Sequence, residues 1–404
     1  MLSCEGQSIA GHEVHLAFGP IFGPEGSMVG RVEAFNAAST NKITTHEVPS
    51  LVREIAIGKD RRCVREVREL IERIKPDIVH THSSKAGELG REAAYSFWRE
   101  RGRPAVVHTI HGPPFMPIEG SVFTRLKTRA INYGYTLAER RAAERCHAIV
   151  SVADAMTKQF LARRIGTPGL YSTVRSGIDT TPYLRAAPGE DRTSVRAALG
   201  ITPDLFVVGT VARLAQHKGH DDLLSALAQM LRASDGMSLL WVGDGWWRER
   251  LVARAKSLGL RVRSIEDKSS MTAQPAHIVL TGLVPADRIP SLMRAMDVLS
   301  HPSTREGLPR TVPQALLAGV CPVAYDVDGT GEVCIDMRTG RLVRPGDVSA
   351  LRDAILWCKD HPRERAALAA SGRTLCERDF SVAAMLAGLE AVYARATERA
   401  RTRR

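Results

Sequence analysis

Two cations in a short glycine-bounded segment are spaced for an anionic ligand. In GTVARLAQHKG, residues 209–219, Arg213 and Lys218 follow an apolar run of strand length. A guanidinium can contact two oxygens at once and an ammonium acts as a point charge, so the two together can hold a diphosphate. The alternative is a pair of solvated surface charges, and this segment taken alone leaves both interpretations open.

A second segment, residues 301–323, places a glutamate in a loop between a strand and a helix. The loop of HPSTREGLPRTVPQALLAGVCPV carries Glu306. Pro313 lacks an N–H and clashes inside a helix, so it belongs in the first turn of a helix that starts near Arg310 and runs to Gly319. Free N–H groups and the positive end of the helix dipole would then face an anion. The alternative is an ordinary capped helix with a surface glutamate.

The number of histidines suggests a metal site, but their spacing does not support one. Three close pairs occur: His80 and His82, His108 and His111, His217 and His220. Each pair lacks a third close ligand or a carboxylate at a suitable spacing, so we expect no metal site. His111 ends the strand of HTIHG, where it is either structural or directed into a cleft.

Two further motifs resemble cofactor or metal sites, and we reject both. Gly243-Asp244-Gly245 lacks the third glycine of G-x-G-x-x-G, which argues against a nicotinamide-dependent oxidoreductase. Asp326-Val327-Asp328 has the D-x-D form of a metal site, but it directly follows the predicted strand Cys321–Ala324. We therefore expect neither a metal nor another cofactor.

Strand-length apolar runs alternate with helical patterns along the whole chain, as in an α/β protein with parallel sheets. The predicted strands are Glu13–Phe18, Ile78–His82, Ala105–Ile110, Ala148–Val152, Tyr171–Val174, Phe206–Val211, Ser238–Val242, Ile278–Thr281, Val298–His301, Cys321–Ala324 and Gly340–Val343. The two series predict two doubly wound, Rossmann-like domains facing each other across a cleft. Ligands of such sheets bind at the carboxyl ends of the strands, where the loops described above lie.

We expect the domains to span residues 1–184 and 185–375. Residues 376–404 would form a helix that crosses back to the N-terminal domain, followed by a basic tail. Leu2–Gly11 resembles the back half of a helix, whereas a doubly wound domain normally opens with a strand and a glycine-rich turn. We therefore expect the sequence to start late, with its first strand missing.

Composition favours a globular protein of a reducing compartment. Hydrophobic residues make up 44% of the chain and charged residues 25%, and no apolar run reaches the length of a membrane helix. No secretory signal is apparent, and the seven scattered cysteines lack a C-x-x-C, which favours free thiols. We expect a cytoplasmic protein.

The formal net charge of +12 indicates an anionic partner. Nucleic acid, an acidic membrane and a diphosphate-bearing substrate all fit such a charge. The basic residues are dispersed and lack the interleaved aromatic side chains of a nucleic-acid-binding module, so we expect no nucleic acid.

Taken in order, the segments resemble glycosyltransferase family 4, whose members have the two-domain GT-B fold. The resemblance covers nearly the whole chain and is carried by PDIVHTHSSKAGELGR (76–91), HTIHG (108–112), SVADAM (151–156), SGID (176–179), VARLAQHKG (211–219), WVGDG (241–245), LTGLV (280–284), HPSTREGLP (301–309) and AGVCPVA (318–324). Each motif is weak by itself, but the ordered set is specific.

The resemblance implies how the diphosphate and the donor sugar are held. Arg213 and Lys218 would bind the donor diphosphate, with help from backbone N–H groups at Gly307 and Leu308. Glu306 matches the first glutamate of the family's E-x7-E motif, which contacts the donor sugar.

It also implies contacts to the sugar and to the nucleoside. His111 matches a histidine that reaches the sugar from the N-terminal domain, and the base would lie against the backbone of Gly282, Leu283 and Val284. The chain departs from the family at Gln314, which replaces the second glutamate of E-x7-E. An amide still accepts a hydrogen bond from a ribose hydroxyl, but more weakly than a carboxylate.

The implied activity is metal-independent transfer of a sugar from a nucleotide-sugar donor, with retention of its anomeric configuration. The acceptor would be a glycan or a lipid-linked molecule of cell-surface polysaccharide or glycolipid assembly. Two alternatives stay open: a nucleotide-sugar epimerase of the same fold, and a non-catalytic protein that binds nucleotide sugars.

One basic and apolar segment has two interpretations. Ser121–Cys146 interleaves six arginines and lysines with apolar residues, against only Glu139 and Glu144. The spacing predicts a helix with one apolar side. That side either packs into the core of the N-terminal domain or rests on the anionic inner face of a membrane near a lipid-linked acceptor.

Overall fold

The computed structural model describes residues 1–20, 26–52, 54, 56–115, 121–233, 236–266 and 276–402. The chain forms two compact units. The first consists of Met1–Gly177 together with Val382–Arg404, and the second of Ile178–Ser381.

The strands, in chain order, are β1 Val14–Phe18, β2 Ile43–Glu47, β3 Ile78–His82, β4 Ala105–Ile110, β5 Ala148–Ser151, β6 Tyr171–Thr173, β7 Phe206–Val211, β8 Met237–Val242, β9 Val262–Ser264, β10 Ile278–Leu280, β11 Val298–His301, β12 Cys321–Tyr325 and β13 Arg341–Val343. The helices are α1 Leu2–Ile9, α2 Val29–Ala38, α3 Ile57–Ile74, α4 Ser84–Arg101, α5 Val122–Ala143, α6 Asp154–Ala162, α7 Thr181–Leu184, α8 Arg192–Ala198, α9 His220–Ala233, α10 Arg248–Ser257, α11 Ile289–Arg294, α12 Thr311–Leu317, α13 Val348–Asp360, α14 Pro362–Asp379 and α15 Val382–Thr402.

The second unit is built on a seven-stranded sheet of order β13-β12-β11-β7-β8-β10-β9, and every pairing in it is parallel. Successive strand residues alternate between two hydrophobic cores, one on each face. Val208 and Leu239 pack into one core, and Val207 and Leu240 pack into the other. A parallel sheet buried on both faces explains why its strands appear in the sequence as unbroken apolar runs. The α/β class and the doubly wound fold are confirmed.

In the first unit the strands form two sheets. β3, β4, β5 and β6 make a four-stranded parallel sheet, and within the described residues β1 pairs with β2 alone. The predicted strand Glu13–Phe18 is present as β1. The single continuous sheet that a doubly wound domain implies is divided into two sheets here. Helix α15 returns to this unit and packs against β4 and β5, with Trp98 Nε1 donating to the carbonyl of Ala400 at 3.1 Å.

The chain passes from the first unit to the second between residues 177 and 178 and returns between residues 381 and 382. The boundaries expected from the sequence lay between 184 and 185 and between 375 and 376. Both differences have a packing reason. Tyr183, on α7, is buried in a core of the second unit, and so is Phe380, which follows α14. The short crossing segments thus belong to the unit that buries their aromatic side chains.

Helix α5 does not turn its apolar side inward. Its buried residues are Thr128, Thr136, Ala142 and Ala143. Phe123 and Tyr133 are 78% and 64% exposed. The interpretation in which its large apolar residues pack into the core of this domain is therefore wrong. Among the helices that the structure describes, none has both the length and the apolar character that crossing a bilayer requires.

Candidate active site

Two loops of the second unit meet at the carboxyl edge of its sheet. Strands β7 and β11 are neighbours, so the loops that follow them emerge side by side. Gly219 has φ +73°, and a Cβ there would lie 1.9 Å from the carbonyl oxygen of Pro302. The backbone N–H of Thr304 and the hydroxyl of Ser303 both donate to the carbonyl of His217, at 2.8 and 2.9 Å. These contacts require glycine at 219 and fix the two loops against each other.

This arrangement brings Lys218 and Glu306 together. Lys218 Nζ lies 2.6 Å from Glu306 Oε1, and the two side chains are only 19% and 12% exposed. The same carboxylate oxygen lies 3.2 Å from Nε2 of His301, at the end of β11. Burial raises the pKa of Glu306, but the neighbouring His301 and Lys218 outweigh it and lower the pKa to about 2. Glu306 is therefore a carboxylate at every physiological pH.

The loop that carries Glu306 is hydrogen-bonded to the segment of Asp328 and Gly329. The backbone N–H of Glu306 donates to Oδ2 of Asp328 at 2.7 Å, and that of Gly329 donates to the carbonyl of Gly307 at 2.9 Å. Asp328 thus orients the loop of Glu306. In the described parts of the chain, no three histidine, cysteine, aspartate or glutamate side chains are grouped as metal ligands.

Arg213 lies on the same loop as Lys218, with its side chain exposed. Its guanidinium carbon is 5.5 Å from the centre of the Trp246 ring, a cation–π distance. The loop is tied to the one after β8, because the N–H of Leu214 donates to the carbonyl of Asp244 at 3.0 Å. Arg213 is therefore an exposed cation beside an exposed aromatic ring, at the same edge of the sheet as Lys218.

The backbone expected to contact the base lies one strand further along this edge. Gly282, Leu283 and Val284 follow β10, and the N–H of Gly243 donates to the carbonyl of Gly282 at 3.1 Å. The side chain of Leu283 is 59% exposed, while Val284 is partly buried against the core. The loops after β7, β8, β10 and β11 thus form one continuous rim.

Helix α12 begins as the sequence predicts, with Arg310 as its N-cap and Pro313 in the first turn. It ends at Leu317, two residues before the expected Gly319, because Ala318 caps it and Gly319 has φ +79°. At two turns its dipole is small, so any anion at its start would depend mainly on hydrogen bonds from N–H groups.

Gln314, on α12, is half-buried, and its side-chain amide makes no hydrogen bond to the described residues. Leu308, in the preceding loop, is partly buried against a core of the same unit. The amide of Gln314 therefore keeps its donor and acceptor for a ligand or for water.

His111 belongs to the first unit, where it follows β4. His82 ends the neighbouring strand β3, and its Nδ1 lies 3.0 Å from Nε2 of His111, with the two rings stacked at 5.3 Å. His82 was missed as a partner by the sequence reasoning. The signal was available, since HTH and HTIH end adjacent strands of one parallel sheet.

Comparison with known proteins decides the family. A model described as Glycosyltransferase Family 4 matches residues 4–182, and one described as Glycosyl transferases group 1 matches residues 191–375. Together they account for nearly all of both units. The chain belongs to glycosyltransferase family 4. It is a glycosyltransferase enzyme, and its two doubly wound units have the GT-B fold.

Named relatives of this family 4 enzyme differ in their acceptors. It is 26% identical over 318 residues to the UDP-Gal:alpha-D-GlcNAc-diphosphoundecaprenol alpha-1,3-galactosyltransferase of Escherichia coli, covering 78% of this chain and 74% of that one. It is 29% identical over 248 residues to the 2-deoxystreptamine glucosyltransferase of Streptomyces kanamyceticus, covering 61% of this chain and 60% of that one.

Among solved structures, the enzyme resembles Anabaena Alr3699/HepE in complex with UDP and glucose. The TM-score is 0.72 at 20% identity, over 97% of this chain and 94% of that one. At this identity the likeness establishes the fold.

Proposed function

We propose that this glycosyltransferase moves a sugar from a nucleotide-sugar donor to its acceptor with retention of anomeric configuration. The observation that carries the proposal is the contact between Lys218 and Glu306, 2.6 Å apart and largely buried at the sheet edge. A cation suited to a diphosphate and a carboxylate suited to sugar hydroxyls lie side by side, as a donor with adjacent phosphate and sugar requires.

In the proposed reaction the bond between the anomeric carbon and the diphosphate oxygen breaks, and its electron pair stays on that oxygen. Lys218 and Arg213 stabilise the negative charge that grows there, more in the transition state than in the ground state. The acceptor hydroxyl forms its new bond on the face that the leaving group vacates. Its proton passes to a phosphate oxygen, so the step needs no protein base.

The remaining residues take roles around this centre. Backbone N–H groups of Gly307 and Leu308 donate to the diphosphate, and Glu306 accepts from hydroxyls of the transferred sugar. Gln314 accepts one ribose hydrogen bond and donates another. His111, in the first unit, contacts the sugar as the family resemblance implies, with its ring orientation set by His82 at 3.0 Å.

The rim beyond these residues receives the nucleoside. Gly282, Leu283 and Val284 present backbone groups to the base, beside the exposed side chain of Leu283. The fixed cations at 213 and 218 take the place of a divalent ion, so the proposed reaction needs no metal.

The acceptor we propose is a lipid-linked glycan of surface polysaccharide or glycolipid assembly. The Escherichia coli relative, over 74% of its length, is named for an acceptor on diphosphoundecaprenol. The enzyme would work on the cytoplasmic side of the membrane, a reducing environment in which its seven cysteine thiols stay reduced. The relative named for 2-deoxystreptamine supports a small water-soluble acceptor as the second candidate.

A donor screen tests the proposal. Thermal shift or saturation-transfer NMR across UDP-, GDP- and ADP-sugars should reveal one preferred donor, and transfer should persist in excess EDTA. The anomeric coupling constant of the product should match that of the donor. A product of inverted configuration would overturn retention, and a strict, reversible need for manganese or magnesium would overturn metal independence. Conversion of the sugar at a rate independent of the acceptor would overturn transfer.

A further inference from the structure

The helix α5 carries its large apolar side chains on the outside. Phe123, Leu126, Ala130, Tyr133 and Leu137 recur at intervals of three and four residues, which places them on one face of a helix. We call these five residues the α5 stripe. All five are exposed, with Phe123 at 78%, Leu126 at 57% and Leu137 at 45%.

The opposite face of α5 attaches the helix to its unit. Thr128 and Thr136 are buried there, where a surface helix normally places its large apolar residues. Glu139 accepts from Arg91 at 3.2 Å, and Arg140 donates twice to the carbonyl of Arg163, at 2.9 and 2.6 Å. The helix is thus held by its small residues and its C-terminal half, and the stripe faces outward from a fixed support.

The charges around the stripe have one sign. Arg125, Lys127 and Arg129 are all exposed, and Ser121–Ala138 contains no aspartate or glutamate. At 100° per residue, Lys127 falls on one side of the stripe and Arg129 on the other. An apolar stripe with cations along both margins has the layout of a helix that lies in the headgroup region of an anionic bilayer.

A second copy of the chain fits this surface poorly. In a symmetric pair the same patch meets itself, so the cations of Arg125, Lys127 and Arg129 would be brought close to those of the other copy. An anionic lipid surface neutralises these three cations and accepts Phe123 and Leu126 among its acyl chains. From Phe123 to Leu137 the stripe is about 21 Å long at 1.5 Å per residue, which suits a helix lying in the plane of the interface.

From this arrangement we infer that the α5 stripe is the surface by which the enzyme docks on an anionic membrane. The inference deepens the proposed function, because it names the face that meets the bilayer holding a lipid-linked acceptor. It also rests on observations that the transfer chemistry does not use, so it can fail separately.

The test is flotation of the full-length protein with two kinds of vesicle, phosphatidylcholine alone and phosphatidylcholine with phosphatidylglycerol. We expect binding to the anionic vesicles only. It should weaken sharply as salt rises from about 0.1 M to about 1 M, because the screening length falls from about 10 Å to about 3 Å. Each basic residue near the surface is worth about 1 kcal/mol, or about fivefold in affinity.

Two variants separate the apolar and the ionic parts. Phe123→Ser with Leu126→Ser should lower affinity for anionic vesicles at least tenfold. Replacing Arg125, Lys127 and Arg129 together by glutamine should do the same. The matched control is Ile9→Ser with Ile57→Ser, which removes two apolar side chains, 68% and 71% exposed, from the same unit. This control should bind as the wild type does.

Sugar release from the donor into water, measured on the same preparations, distinguishes the two proposals. Phe123→Ser with Leu126→Ser should leave this release unchanged, because neither residue belongs to the donor site. Active protein that binds both vesicle types equally, or neither at low salt, overturns the docking surface and leaves the chemistry standing. A wild-type dimer that this double variant makes monomeric, without vesicle binding, also overturns it.

Discussion

Replacing Glu306 by glutamine should separate diphosphate binding from sugar transfer. Lys218 is paired with Glu306, at 2.6 Å, so a diphosphate has to compete with a carboxylate for the same ammonium. Glu306→Gln removes that competitor and its negative charge while keeping the shape of the side chain. A nucleoside diphosphate without a sugar should therefore bind more tightly, although transfer becomes slower.

The structure sets the size of the effect. The fall in the pKa of Glu306 from an ordinary 4.5 to about 2 corresponds to a net stabilisation of its ionised form by about 3 kcal/mol, left after the contacts with His301 and Lys218 have overcome the cost of burial. Lys218 is one of the two groups that lower this pKa, and an ion pair of this kind is worth about 1 kcal/mol. Release of Lys218 should thus tighten diphosphate binding about fivefold.

Isothermal titration of the wild type and Glu306→Gln with UDP, GDP and ADP measures the change in nucleoside diphosphate affinity. In a transfer assay, kcat/KM of the variant should fall at least tenfold. Glu377→Gln, on α14 of the same unit, is the control for the loss of one negative charge. Because a lowered pKa keeps Glu306 ionised until the pH falls toward 2, the affinity ratio should stay constant from about pH 6 to 8. Weaker diphosphate binding by Glu306→Gln, or an undiminished transfer rate, would refute the assignment.

Three further substitutions test other parts of the site. Arg213→Ala should lower kcat/KM more than tenfold and leave the circular dichroism and the melting temperature unchanged, since the side chain is exposed. A wild-type rate would remove it from the diphosphate. Gln314→Glu should preserve or tighten donor binding in a thermal-shift titration, because a carboxylate accepts ribose hydrogen bonds more strongly; loss of binding would mean another role for the amide. Gly219→Ala should lower the free energy of unfolding in urea by more than 1 kcal/mol and slow transfer, because its Cβ would meet the carbonyl of Pro302; unchanged stability would contradict the close contact of the two loops.

Among the described strands, the sequence predicts every one that is buried along most of its length, and the two that it misses are largely exposed or only half-buried. Phe206–Val211 and Val298–His301 match the prediction, since a central parallel strand needs an unbroken apolar run. Ile43–Glu47 was missed because only Ile43 is buried in it. Val262–Ser264 was missed because it is a three-residue edge strand containing an arginine and a serine.

For the site, the sequence supplied the residues but not their partners. Lys218 and Glu306 lie 88 positions apart, and only the order of strands in the sheet brings them to 2.6 Å. The aspartates at 326 and 328 looked like a metal motif, and the contact from Asp328 to the backbone of Glu306 becomes visible only in three dimensions. His301 was passed over as the last residue of a strand, although a polar strand end beside an acidic loop is a usable signal.

The return of α15 to the first unit has a consequence for biosynthesis. The second unit is one uninterrupted stretch of chain and can complete its core as soon as it leaves the ribosome. The first unit cannot, because Val107 and Val150 of its sheet pack against side chains of α15, and Trp98 bonds to the carbonyl of Ala400. A segment translated after the second unit thus closes the unit translated before it. Until that helix emerges, the sheet that carries His111 stays open to chaperones and proteases.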